Sequence, residues 1–250
     1  LGKPFNDREL LAEVRNLLAL KANERRVAEL NQYLTESVLR RFLPASLVNK
    51  AATGELQLDL KPEPRLITVL FSDLVGFTPL SNQLGPLRVA QLLNEYLGAM
   101  TDAIFANGGT VDKFMGDGVL ALFGAPEELP IVEQAQRAMA AVKQMHAALA
   151  DLNQRWQSQG IQSVRVRYGI HQGDAVVGMF GSVVRADYTA IGPCVNLASR
   201  LQEVADPNSV LVSWELAQHL PEDMILETRS VKLRGLPTPM RVCSIRLHES

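Results

Sequence analysis

The chain has 250 residues, 47% of them hydrophobic and 21% charged, enough to bury a substantial core; this mix excludes bulk disorder, collagen-like repeats and a disulfide scaffold. Its 25 basic against 27 acidic residues give a net charge of −2, so no global basic excess marks a nucleic-acid binder. Two cysteines, Cys194 and Cys243, no run of about 18 apolar residues and no signal peptide lead us to expect a cytoplasmic chain without a membrane span. The first residue is Leu1 rather than Met, and the chain reads as a piece of something longer.

Residues 8–43 read as a helix. Leu10, Val14 and Leu17 share one face, and Val27, Leu30, Leu34 and Val38 resume one beyond the polar segment Lys21–Arg26. The heptad-like run Leu20, Val27, Leu34 suggests a dimerising or signal-carrying helix; the alternative is a helix packed on its own domain. Pro44 is expected to stop or kink it, and residues 51–64, with Gly54, Pro62 and Pro64, to form a connector. The β-branched, apolar run Arg65–Ser72 predicts a buried strand, and Leu80–Phe105 a helix with Leu92, Tyr96 and Met100 in its core face. After a turn at Asn107–Gly109, strands Thr110–Met115 and Val119–Phe123 flank Gly116-Asp117-Gly118, a strong hairpin signal. An Ala-rich helix over Glu133–Trp156 leads to strands at Val164–Ile170 and Ala175–Phe180. The order β-α-β-β-α-β is the ferredoxin-like split unit, an α+β fold. A strand at Tyr188–Ile191, a helix at Val195–Val204 and shorter strands complete the chain.

Two aspartates stand at strategic places. Asp73 is expected just after the first strand, before the loop Leu74–Thr78 that opens a helix, and Asp117 at the hairpin tip. In a ferredoxin-like unit the first and third core strands are neighbours, so the two carboxylates can lie side by side, a donor set that suits Mg²⁺ or Mn²⁺. Backbone N–H groups of the loop offer a phosphate cradle. Taken singly, each aspartate is also a common cap or turn residue. No P-loop, zinc-protease, C-x-x-C or nucleophile-elbow motif is present, and His146, His171, His219 and His248 form no ligand-spaced set.

The segments FSDLVGFTPLS, GTVDKFMGDGVLALFGAP, YGIHQGDAVVGMFGS and DYTAIGPCVNLASRL together resemble the class III nucleotide cyclase catalytic domain, and within it the cyanobacterial-type, bicarbonate-responsive adenylate cyclases. The resemblance covers Pro62 to Leu247. It implies that Asp73, Asp117 and the Leu74 carbonyl bind two divalent cations, Mg²⁺ or Mn²⁺, and that Asn196 and Arg200 position the ribose and stabilise the transition state. It also implies that Lys113 and Thr189 read the purine, and that Arg167, Arg234 and the backbone around Phe77 and Thr78 contact phosphates. Thr189 stands where many adenylate cyclases have Asp, the variant associated with bicarbonate stimulation, and Arg234 where the family usually has Lys. Each residue also has a plain structural reading, as a solvated strand, rim or helix side chain.

The implied reaction converts ATP to cyclic AMP and pyrophosphate. Adenine presents N1 as an acceptor and N6 as a donor; Lys113 can only donate, and a Thr189 hydroxyl can accept. Guanine presents the reverse pattern, so ATP is expected over GTP. In the family the site lies between two domains arranged head to tail: one protomer supplies Asp73, Asp117 and Arg167, the other Lys113, Thr189, Asn196, Arg200 and Arg234. A symmetric homodimer is therefore implied. The opening KPFNDRELLAEVRNLLALK resembles the end of a response-regulator receiver domain. Three parts follow: 1–20 a receiver tail, 21–60 a helical linker and 61–250 the cyclase, with receiver or sensor domains upstream. The alternatives are a guanylate cyclase, a catalytically silent nucleotide-binding module, and a diguanylate cyclase or polymerase palm, which would carry a GG[DE]EF-type hairpin in place of MGDGV.

Overall fold

A computed structural model describes residues 7–37, 61–182 and 186–247. It divides into two units, Leu1–Gln57 and Leu58–Ser250. In the first, helix α1 (Asp7–Ser37) runs unbroken through the polar stretch Lys21–Arg26, whose lysine, glutamate and arginines are good helix formers. Leu10, Leu17, Leu20, Val27 and Leu30 are all exposed on it. The expected continuation to residue 43, the stop at Pro44 and most of the connector lie outside the described residues.

The second unit is built on one mixed sheet of eight strands, with α+β order as expected. Strand β1 (Glu63–Val75) is followed by α2 (Phe77–Gln83), α3 (Pro86–Ala106), β2 (Thr110–Met115), β3 (Gly118–Phe123), α4 (Ile131–Ser158) and β4 (Arg165–Gly181). Then come β5 (Ala186–Ile191), α5 (Pro193–Val204), β6 (Ser209–Ser213), α6 (Trp214–Ala217), β7 (Ile225–Val231) and β8 (Met240–Ile245). The sheet order is β2-β3-β1-β4-β6-β8-β7, with β5 paired to β4. Strand β1 lies antiparallel to both β3 and β4, while β4 and β6 are parallel.

Residues 67–72 of β1 are buried without interruption because the sheet is covered on both faces. Leu70 and Leu74 join Tyr96, Met100, Met139 and Trp156 of α3 and α4. The alternate residues Ile67, Val69 and Phe71 pack with Cys194 and Ala198 of α5. The period of two in β1 thus feeds two cores.

Three boundaries depart from expectation. Asp73 lies within β1, paired in register with Arg167, so strand and helix are joined by Gly76 alone, at φ 79°. The helix expected over Leu80–Phe105 is two helices, because Gly85-Pro86 starts a new one: Pro86 takes the first-turn position, where no N–H is needed. The strands expected at Val164–Ile170 and Ala175–Phe180 are one, since β4 pairs with β1 as far as Val177 and then with β5. The intervening Gly173 opposes Ile67 within that ladder and does not break it.

Candidate active site

At the end of β1, Asp73 meets the β2–β3 turn that carries Asp117. Gly118 makes the approach possible, since a Cβ there would lie 3.3 Å from Asp73 Oδ1 and 3.4 Å from the Ser72 carbonyl. Burial, and the negative charge of Asp117 beside it, push the Asp73 carboxyl up to about 6; Arg167 and the Leu74 N–H pull the other way. Burial also raises Asp117, against hydrogen bonds from its own N–H and that of Leu74. Tyr96, wholly buried, is close enough to feel both carboxylates: burial pushes its phenol well above the usual range, and both aspartates push further. Two half-buried carboxylates that resist ionisation beside each other are suited to a cation.

The donor chemistry fits a hard divalent ion. Among the described residues there is no cluster of three or more His, Cys, Asp or Glu. A cation held by this pair would therefore complete its shell from backbone oxygen, water and substrate phosphates, the usual habit of Mg²⁺.

A cavity of about 460 Å³ opens beside Asp73, lined by Ser72, Asp73, Met115, Gly118, Asn196 and Glu203 among others, Asp117 not among them. Asn196 reaches it because Gly169 of β4 lets α5 lie against the sheet: a Cβ at Gly169 would sit 2.2 Å from Gln202 N and 2.4 Å from Ala198 O. Ala198 and Leu201 face the core, and Asn196 and Arg200, one turn apart, face outward together. Arg200 lies against the turn after β7, where a Cβ on Gly235 (φ 76°) would meet its Nη2 at 3.3 Å. The exposed Arg234 belongs to the same turn. Arg167 also reaches α5, donating from Nη1 to the Glu203 carbonyl at 3.4 Å.

The expected purine-reading residues form a second cluster. Lys113 of β2 and Thr189 of β5 meet at one carboxylate, that of Asp112. Neither lines the cavity beside Asp73. Burial raises the Asp112 carboxyl, opposed by Thr189, Lys113 and the Ala190 N–H. Phe77 packs against the core, and Thr78 is exposed with its carbonyl accepting from Ser81.

Sequence reasoning missed Asp112. It sits beside Lys113, and strict alternation would send the two to opposite faces. The register shift in the β2–β3 ladder is what re-aims it. It also missed Tyr96 as a neighbour of the aspartates, reading it only as core.

Comparison with known proteins gives the family. Residues 61–242 match the family described as adenylate and guanylate cyclase catalytic domain. Adenylate cyclase 1 of Rhizobium meliloti (strain 1021) is 37% identical over 137 residues, 54% of this chain; the chain spans 20% of that protein. The crystal structure of the guanylyl cyclase Cya2 is 36% identical with a TM-score of 0.70, over 74% of this chain and 93% of that one. That of the adenylyl cyclase CyaB from P. aeruginosa is also 36% identical, with a TM-score of 0.69, over 75% of this chain and 96% of that one.

Proposed function

The chain belongs to the adenylate and guanylate cyclase catalytic domain family, and within that family we propose that it forms 3′,5′-cyclic AMP and pyrophosphate from ATP. One observation carries the choice of purine: Lys113, a donor only, stands beside Thr189, a possible acceptor, on a shared carboxylate. Two relatives of equal identity but opposite purine leave that choice to the residues themselves.

In the reaction the 3′-oxygen attacks the α-phosphorus of the same nucleotide, and the bond to pyrophosphate breaks. Asp73, Asp117 and the Leu74 carbonyl would hold the divalent cations, Mg²⁺ or Mn²⁺ and two per site, which supply charge to activate the hydroxyl and to neutralise the triphosphate. Asn196 orients the ribose. Arg200 stabilises charge developing on the α-phosphate, a contribution on the order of 10²–10³ in rate for a donor of this kind. Arg167, Arg234 and the backbone at Phe77 and Thr78 bind the remaining phosphate oxygens.

A head-to-tail homodimer is the proposed working form, with the purine cluster of one protomer facing the aspartates of the other. The separation of that cluster from the Asp73 cavity supports it, as do the exposed apolar residues Phe114, Met115, Met179 and Ile191 on β2, β4 and β5. The reading of residues 1–20 as a receiver tail, of 21–60 as a linker, and of bicarbonate as an activator belongs to the same proposal and rests on the resemblance in sequence. No helix among the described residues is long and apolar enough to cross a membrane; a cytoplasmic place and upstream sensor domains are proposed on the same resemblance.

The test is turnover of ATP and GTP in parallel, with Mg²⁺ and with Mn²⁺, by the wild-type chain and by Asp117→Ala. Cyclic AMP from ATP, little cyclic GMP, and loss of activity in Asp117→Ala are expected. Predominant cyclic GMP would overturn the purine assignment. Absence of both products would favour the silent module.

A further inference from the structure

Asp112 occupies the irregularity in β2, between Val111 and Lys113, and its side chain is fully buried. Its Oδ2 accepts from the Thr189 hydroxyl at 2.6 Å and from the Ala190 N–H at 3.4 Å. Its Oδ1 lies 3.4 Å from Lys113 Nζ. These neighbours are all donors, so the carboxylate serves them as an ionised acceptor.

The consequence falls on Thr189. A threonine hydroxyl has one proton and two lone pairs, and alone it can donate or accept. With its proton committed to Asp112, it offers a ligand only lone pairs. Lys113, tethered at Oδ1, still offers only protons. We propose that Asp112 is a positioning residue that sets purine preference, by fixing Thr189 as acceptor and holding Lys113, a donor in any case, beside it so that the pair matches N6–H and N1 of adenine. Guanine meets the same pair twice wrongly: its O6 faces lone pairs and its N1–H faces an ammonium, and mispaired polar groups are how such a site rejects a substrate. This inference rests on the reading of Lys113 and Thr189 as the purine contacts.

Asp112→Asn tests it with nearly the same shape. Asparagine has one acceptor oxygen for two sides: turned to Lys113, it leaves Thr189 facing an N–H and frees its polarity; turned to Thr189, it sets an N–H against the Lys113 ammonium and displaces the lysine. The readout is the ratio of kcat/KM for ATP to that for GTP, with Kd for 3′-deoxy-ATP and 3′-deoxy-GTP reading the same ratio without turnover. The expected fall in both ratios is at least about tenfold, the scale of one hydrogen bond gained or lost. Thr189→Val should lower the ratio similarly, Thr189→Ser should keep it, and Asp112→Asn should change it by less in the Thr189→Val background than in the wild type. That coupling is one a merely structural role would not produce. Should Asp112→Asn fold poorly, the Thr189 pair still decides: equal ratios in Thr189→Val and Thr189→Ser overturn the proposal. A wild-type ATP preference that survives in a folded Asp112→Asn overturns it while leaving the ATP reading intact. A wild-type chain that prefers GTP, or binds neither nucleotide, overturns both.

Discussion

Gly169 seats α5, and with it Asn196 and Arg200, against the sheet, and Gly169→Ala should displace that helix. The added methyl would lie 2.2 Å from Gln202 N, 2.4 Å from Ala198 O and 2.7 Å from Gln202 Cα. All three are backbone atoms of α5, so no side-chain rotation relieves them. Ordinary contact begins near 3.4 Å, so α5 must back away from β4 by about 1.2 Å. Overpacking of this kind costs about 1–3 kcal/mol. For a unit of this size that lowers Tm by about 2–12 °C. The helix carries Asn196 and Arg200 with it, out of the place they hold in the site that the proposed homodimer forms. A misplacement near 1 Å can cost about 10²-fold in rate. Thermal unfolding and initial rates of cyclic nucleotide formation, measured well below the Tm of the variant, check both parts. The reasoning fails if Gly169→Ala melts with the wild type and turns over at the wild-type rate, because the close approach of α5 would then be absent.

Asp73→Asn should stabilise the cation-free protein while abolishing cyclisation. The Asp73 carboxyl is raised from 3.8 to about 6 in the folded chain, so between these values the folded state holds more protons than the unfolded one, and stability falls as pH rises. Above about pH 6 the loss is complete, and there the asparagine variant should melt higher than wild type in chelator, a difference that vanishes below about pH 4. Divalent cations should raise the wild-type Tm at pH 7 and progressively less below pH 6, since binding must displace the proton; a cation effect independent of pH would count against Asp73 as a ligand. Cys194 is buried, and burial pushes its thiol up to about 12, so in the native chain at pH 8 it should resist alkylation and react on unfolding. Rapid native labelling at Cys194, located by peptide mass, would contradict its burial between α5 and the sheet.

The order of elements was legible because each core strand and helix carries its own period. The apolar run of β1, the Ala-rich α4 and the Asp-Gly turn at Asp117 needed no tertiary context. Where propensity alone was read, boundaries slipped. The strands expected at Val164–Ile170 and Ala175–Phe180 join because the ladders with β1 and β5 hold β4 extended on both sides of Gly173. Asp73 reads as following its strand, at the start of the loop Leu74–Thr78; pairing with Arg167 keeps it in the sheet. The site residues were named from motifs, and geometry adds which of them meet. Asp73, Asn196 and Gly118 share one cavity, whereas Lys113 and Thr189 gather elsewhere around a carboxylate no motif reading had singled out.

That carboxylate bears on why sequence similarity stops short of the substrate. The guanylyl cyclase and the adenylyl cyclase compared here are equally identical to this chain, at 36%. Identity is averaged over a fold whose core must bury the same apolar strands whichever purine is bound. Adenine and guanine differ at the recognised edge only in the direction of two hydrogen bonds. Direction is set by where single protons reside, and a threonine alone leaves that open. It becomes fixed only when a third group takes the proton, and in this chain that group is reached through one irregular residue of β2. A side chain of ordinary type, beside a motif lysine and re-aimed by a local slip of register, carries no periodic signal. Its proposed role rests on the hydroxyl 2.6 Å away, on a strand separated from it in sequence by 77 positions.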